Sequence, residues 1–83
     1  MKLLELYLNK NGDHKFVAAE GSRRKEIGAA TGDNNALLAQ ALQLIEADSD
    51  FESQLRIFDS NNIMLRGMTT KYVSVEQLKG WQH

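Results

Sequence analysis

Asp48, Asp50, Glu52 and Asp59 stand at intervals that a calcium loop would use, with oxygen ligands at alternating positions and an acid closing the set. Two departures break the pattern. Ser53 stands where the sharp turn needs glycine, and the closing position holds the shorter Asp rather than a bidentate Glu. The acids from Glu46 through Asp48 and Asp50 to Glu52 therefore read as a solvated loop whose chemistry is that of a protein-contact surface. Arg23-Arg24-Lys25, joined by Lys10, His14 and Lys15 of a preceding hairpin, would make a basic patch able to neutralise phosphates. The same charges on an edge strand keep that edge from pairing with other chains, and this is the preferred reading.

Other chemistries lack their residues. Gly28-Ala29-Ala30-Thr31-Gly32-Asp33 approaches a helix through glycines, but it has no Lys-Ser/Thr pair and ends in an acid that repels phosphate, so it reads as a flexible connector. His14 lies beside a turn and His83 ends the sequence, neither with a neighbouring Ser, Cys or second His for nucleophilic or metal chemistry. With the carboxylates gathered in an exposed loop, no acid/base pair is assigned. The expectation is a protein without catalytic, metal or cofactor residues. The chain contains no cysteine, which excludes disulfides, thiolate zinc sites and thiol catalysis.

The elements that position these residues centre on Asp33 to Ala47. Leu37, Leu38, Ala41, Leu42, Leu44 and Ile45 recur at helical spacing with no Gly or Pro between them, which predicts the helix against which the rest packs. Asp33 or Asn34 caps its start, while Glu46, Asp48 and Asp50 crowd the end where the dipole disfavours acids. Residues 3 to 19 predict a hairpin turning at Asn11-Gly12, a dipeptide that tolerates the positive φ of a two-residue turn. That turn sets Leu6 opposite Val17, Leu4 opposite Ala19, and Tyr7 opposite Phe16, with Leu4, Leu6 and Leu8 facing the helix. Arg23 to Ala29 is read as a short edge strand. Gln54 to Phe58 alternates as a strand, Asp59 to Asn62 turns, and Ile63 to Arg66 is expected to return in preference to a helix over 60–68. Ser74 and Gln77 form a capping box with Val73 and Leu78 as its staple, and Leu78 and Trp81 are expected to share one face of a short helix.

The order is ββ(β)αββα, an α+β fold with a small antiparallel or mixed sheet on one central helix and a short C-terminal helix. Residues 1–83 are expected to form one domain, since so short a chain builds one core. Ten basic and eleven acidic residues leave a net charge of −1, so any nucleic-acid role must be local. No stretch approaches the roughly 18 apolar residues of a membrane span, and Met1 to Leu8 lacks a basic start and a cleavage site, which leads to the expectation of a soluble, cytoplasmic protein.

Leu6-Tyr7-Leu8, Thr31 to Leu42 with Asn34-Asn35, and Leu55 to Ser60 together resemble the ribonuclease H-like nucleases, in which early strands lead through an Asn-Asn turn into a helix and then a strand ending in Asp-Ser. The resemblance implies a site where an aspartate on the first strand, a glutamate on the first helix, the strand-end aspartate and a later aspartate hold two magnesium ions. The corresponding positions here are Asn9, Leu38 and Asp59, with no counterpart for the last. One carboxylate cannot clamp two ions, so the resemblance implies a degenerate, inactive relative.

The function expected first is a non-enzymatic protein-binding module, an accessory subunit or inhibitor of a larger partner such as a phage-type inhibitor of a nucleic-acid enzyme. It would work through the sheet together with Glu46, Asp48, Asp50 and Glu52. The alternative is nucleic-acid contact through Arg23, Arg24 and Lys25, although Tyr7, Phe16, Phe51, Phe58, Tyr72 and Trp81 look divided between core and isolated positions. An uncovered face carrying Tyr7 and Phe16 would be an apolar patch that a homodimer could bury.

Overall fold

The computed structural model describes residues 1–81, with the backbone alone at Trp81. The chain runs β1 (Lys2–Tyr7), β2 (His14–Glu20), β3 (Arg23–Ala30), α1 (Asn34–Ala47), β4 (Phe51–Phe58), β5 (Thr70–Ser74) and α2 (Val75–Trp81). This is the expected α+β order with the third strand present, in a mixed five-stranded sheet ordered β3-β2-β1-β4-β5. β1 and β4 are parallel and every other pair is antiparallel. Both helices lie on one face. Leu4, Leu6, Leu8, Leu55, Ile57 and Val73 meet Leu37, Leu38, Ala41 and Ile45 of α1 and Leu78 of α2 in a single core.

α1 forms where its period required. Asp33 is the cap, its carboxylate accepting the N–H of Ala36 at 2.9 Å, and Leu37, Leu38, Ala41, Leu42 and Ile45 are buried. Gly32 sits at φ +106 with Ala36 Cβ 2.7 Å from where its own Cβ would lie, so only glycine fits ahead of this cap. The connector is accordingly shorter than expected, because Gly28, Ala29 and Ala30 already belong to β3. The capping box of α2 is in place: Ser74 N–H donates to Gln77 Oε1 at 3.1 Å and Gln77 N–H to Ser74 Oγ at 3.2 Å, with Val73 and Leu78 buried. The expected partnership of Leu78 with Trp81 falls outside the described residues, as does His83.

The first hairpin forms in a different register. Leu6 faces Phe16, Leu4 faces Ala18 and Tyr7 faces Lys15. The turn is the reason. Gly12 N–H closes on Asn9 C=O at 2.9 Å, Asn11 N–H is held by Asn9 Oδ1 at 3.0 Å, and only Gly12 takes positive φ. A turn over Asn9 to Gly12 that ends on the left-handed Gly12 lengthens the loop by a residue relative to the two-residue form. A slip of one residue reverses the face of every side chain on the strand. Phe16 therefore enters the core beneath the helices, and Tyr7 stands alone of that pair on the opposite face.

β3 is an edge strand as expected, but eight residues long rather than short. Its register shifts between Phe16 and Val17 of β2, leaving Ile27 without an opposite residue, a bulge of the kind that keeps edges from pairing. β4 begins at Phe51, so Phe51 and Glu52 lie in a strand and not in the acidic loop. The expected return strand Ile63 to Arg66 does not form. The Asp59 carboxylate accepts the N–H groups of Ile63, Met64 and Leu65 at 2.8, 2.7 and 2.7 Å, leaving none of them for a ladder. The chain pairs again with β4 only at Thr70.

Candidate functional site

With both helices on one side, the other face of the sheet has no covering layer among the described residues. Alternation along β1, β2, β4 and β5 places Glu5, Tyr7, Lys15, Val17, Arg56 and Phe58 there, and pairing sets Tyr72 beside Arg56. Glu5 lies at the centre and is 0% exposed although no helix covers it. Its own neighbours bury it. Tyr7 O–H donates to Glu5 Oε1 at 2.9 Å, Arg24 Nε lies 3.1 Å from the same oxygen, and Arg56 Nη1 lies 3.5 Å from Oε2.

Around that carboxylate the aromatic and cationic side chains form a ladder across the sheet. The Tyr7 and Phe58 rings stack at 4.5 Å with 13° between their planes. Lys15 Nζ sits 5.7 Å from the Tyr7 ring centre, and the Arg56 guanidinium is 4.5 Å from Phe58 and 5.3 Å from Tyr72. Each inner ring thus has a neighbour on its faces, and the buried Nε of Arg56 makes no hydrogen bond among the described residues. Burial and the hydrogen bond to Glu5 both push the Tyr7 hydroxyl above its ordinary pKa, and the bond to Glu5 raises that of Arg24. Tyr72 forms the outer end, 52% exposed.

The sequence reading scattered these aromatics because it could not see the sheet order. Tyr7, Phe58 and Tyr72 come from three strands, and only the β1-β4-β5 order brings them together. The alternation of Glu5 and Tyr7 with Leu4 and Leu6 was the available signal, since an acid in that pattern faces away from the helices.

The acids are dispersed. Glu46 pairs with Lys79 at 3.3 Å, and Asp48 pairs with Lys2 at 2.7 Å while holding the N–H of Asp50 at 2.9 Å. Only Glu52 belongs to the open face, where Gln54 donates to it at 3.1 Å. The hydrogen bond from Lys2 holds the Asp48 carboxyl below its ordinary value of 3.8. A group lowered on folding stabilises above its unfolded pKa and loses that effect as pH falls through the folded one. Asp48→Asn is thus expected to melt below the unaltered protein at pH 6, with the gap closing as the pH falls below the ordinary carboxylate range. Thermal melts across that range check it, and a gap that persists in acid would contradict the pairing.

The basic residues are also divided. Arg24 turns to the open face toward Glu5, Arg23 and Lys25 are exposed, and His14 opens β2, opposite Ala30 at the far end of β3. Lys15 pairs with Glu26 at 3.5 Å. Lys10 is exposed in the first turn, so the six do not form one patch.

Of the positions matched to a two-metal site, Leu38 is in the core and Asn9 is bound into the first turn. Asp59 is 0% exposed and both of its oxygens serve the loop after β4. No group of three His, Cys, Asp or Glu arranged to hold a metal occurs among the described residues. No described helix is long and apolar enough to cross a membrane. No family model, no curated protein and no solved structure matches the chain.

Proposed function

We propose that this chain is a non-enzymatic protein-binding module, an accessory subunit or inhibitor of a larger protein, which docks through the uncovered face of its sheet. The observation carrying this reading is the Lys15–Tyr7–Phe58–Arg56–Tyr72 ladder fixed on the buried Glu5. Tyr and Arg dominate the energetics of protein interfaces when they are already held in place, because less side-chain entropy is lost on docking. Single-stranded nucleic acid would instead need open ring faces and uncompensated cations. Here the inner rings cover one another, Lys15 is paired with Glu26, and Arg24 and Arg56 converge on one carboxylate.

Tyr72 is the residue to test, since it is half exposed and its loss leaves the core intact. Tyr72→Ala is expected to weaken capture of the partner about 30-fold, equivalent to about 2 kcal/mol for an interface anchor. The assay is affinity capture from nuclease-treated lysate, followed by titration of the one stoichiometric protein retained. Recovery of nucleic acid in place of protein, or equal affinity of the Tyr72→Ala variant, would overturn the reading.

A further inference from the structure

The helix-bearing side of the sheet is only partly covered. α1 packs over β1 and β4, and α2 over β4 and β5. Strands lie about 4.8 Å apart and packed helices about 10 Å, so β2 and β3 together leave a strip about one helix wide. Two adjoining hollows occupy that strip. One, of about 250 Å³, lies between α1 and β3 and is lined by Phe16, Ile27, Gly28 and Leu44 with Gln40 and Gln43 of α1. The other, of about 590 Å³, continues over Ala18 toward the start of β3 and shares Ile27.

The floor is apolar and the rim is basic. Ile27, thrown out of the ladder by the bulge, is 41% exposed in the middle of the strip, with Ala18 and Leu44 half-buried beside it. Three basic side chains, Lys2, Arg23 and Lys25, surround the second hollow against one acid, Glu20, while the side chain of the intervening Arg24 turns to the open face. Lys2 is paired with Asp48 and Arg24 with Glu5, whereas Arg23 and Lys25 make no ion pair among the described residues. The charge on β3 protects an edge, and Ile27, which lines both hollows, gives the strip an apolar centre between that charge and Leu44 of the neighbouring helix.

We propose that this strip is a docking groove for an amphipathic helix of a partner protein carrying an acidic flank. The helix lies beside α1 as a third member of the helical layer, its apolar stripe on Ala18, Ile27 and Leu44 and its carboxylates toward Arg23 and Lys25. From Arg23 to Ala29, the part of β3 that lines the two hollows, about 3.3 Å per residue gives a track of about 20 Å, long enough for three to four turns of helix. This surface is on the opposite side of the sheet from the aromatic ladder and stands independently of it.

The test is a titration of the intact, isotope-labelled chain with a synthetic helix of about 15 residues carrying leucines at i, i+3, i+4 and i+7 and glutamates along one flank, followed by NMR. Saturable shifts of the amides of Ala18, Lys25, Ile27, Gly28 and Gln43 are expected. The same peptide with lysine for glutamate should bind about tenfold more weakly, and Arg23→Glu with Lys25→Glu should invert that preference. Ile27→Asp should abolish binding while the amide spectrum elsewhere stays native, because the side chain lies outside the core. Four outcomes would overturn the proposal: no saturable shift; shifts centred on Phe58 and Tyr72; the same shifts produced by a single-stranded oligonucleotide; or the same shifts on raising protein concentration alone, which would mark the strip as a contact between copies of this chain.

Discussion

Asp59→Ala is expected to lose about 3 kcal/mol of folding stability, lowering the melting temperature by about 12–24 °C for a domain of this size. Three backbone N–H groups converge on this one carboxylate at 2.7 to 2.8 Å, the short range of charge-assisted bonds. Alanine orphans all three. The N–H of Leu65 cannot simply turn to solvent, since Leu65 is itself buried and packed in the core, so the loop must leave the sheet to hydrate it. Asparagine should recover little. It retains one acceptor oxygen, but its NH2 would then face donors that the second carboxylate oxygen had satisfied. Denaturant or thermal unfolding of the two variants measures this, and a loss below about 0.5 kcal/mol, typical of neutral surface substitutions, would show that the loop is not held by Asp59.

The same residue separates a structural aspartate from a metal ligand. Magnesium added to the intact chain is expected to produce no saturable shift at Asp59 or its loop, because both oxygens already accept N–H groups. A saturable shift would return the position to the two-metal scheme that resemblance to the ribonuclease H-like nucleases implies.

Local signals carried most of the element order. The period of Leu37 to Ile45, a cap at Asp33 or Asn34 and the Ser74–Gln77 box are decided within one or two helical turns; the period and the box stand as read, and the cap falls on Asp33. Two of the departures came where a side chain outcompetes the ladder for backbone donors. Asn9 Oδ1 holds Asn11 N–H and moves the first turn by one residue, which exchanges Phe16 for Lys15 opposite Tyr7. Asp59 takes three donors and removes the strand expected at Ile63 to Arg66. Asn and Asp at turns carry this ambiguity because the same side chain can close a tight turn or organise a longer loop.

The candidate site was less legible because it is a product of strand order. Glu5, Arg24 and Arg56 are separated along the chain by up to fifty-one positions, and nothing local to any of them shows that β1 lies between β2 and β4. Long-range pairing decides this, after the local elements exist. The acidic residues show the opposite error. Glu46, Asp48, Asp50 and Glu52 are close in sequence, but the end of a helix and the start of a strand send Glu52 to a different face from the rest.

Glu5→Ala is the substitution expected to disturb that site most, at a cost of about 2–3 kcal/mol. Removing one partner of a buried ion pair costs about 3–5 kcal/mol, and the partial exposure of Arg24 and Arg56 reduces it. The Arg24 and Arg56 guanidinium groups would lose their shared counter-ion, and Tyr7 O–H would lose its acceptor. Glu5→Gln keeps that acceptor and the side chain's shape, so its loss should be smaller, and a double-mutant cycle of Glu5→Ala with Arg24→Ala should show that the two losses are not additive. Alkaline pH offers a second readout. Tyr7 titrates above its ordinary 10.0 in the folded chain, through burial first and the bond to Glu5 second. Between the unfolded and folded pKa values the folded chain holds the phenolic proton that the unfolded chain has released, so stability falls as pH rises past about 10. That part of the decline should be missing in Tyr7→Phe and diminished in Glu5→Ala, and melts compared at pH 8 and pH 11 measure it. An unchanged alkaline slope in both variants would mean that the Tyr7–Glu5 bond does not hold the open face together.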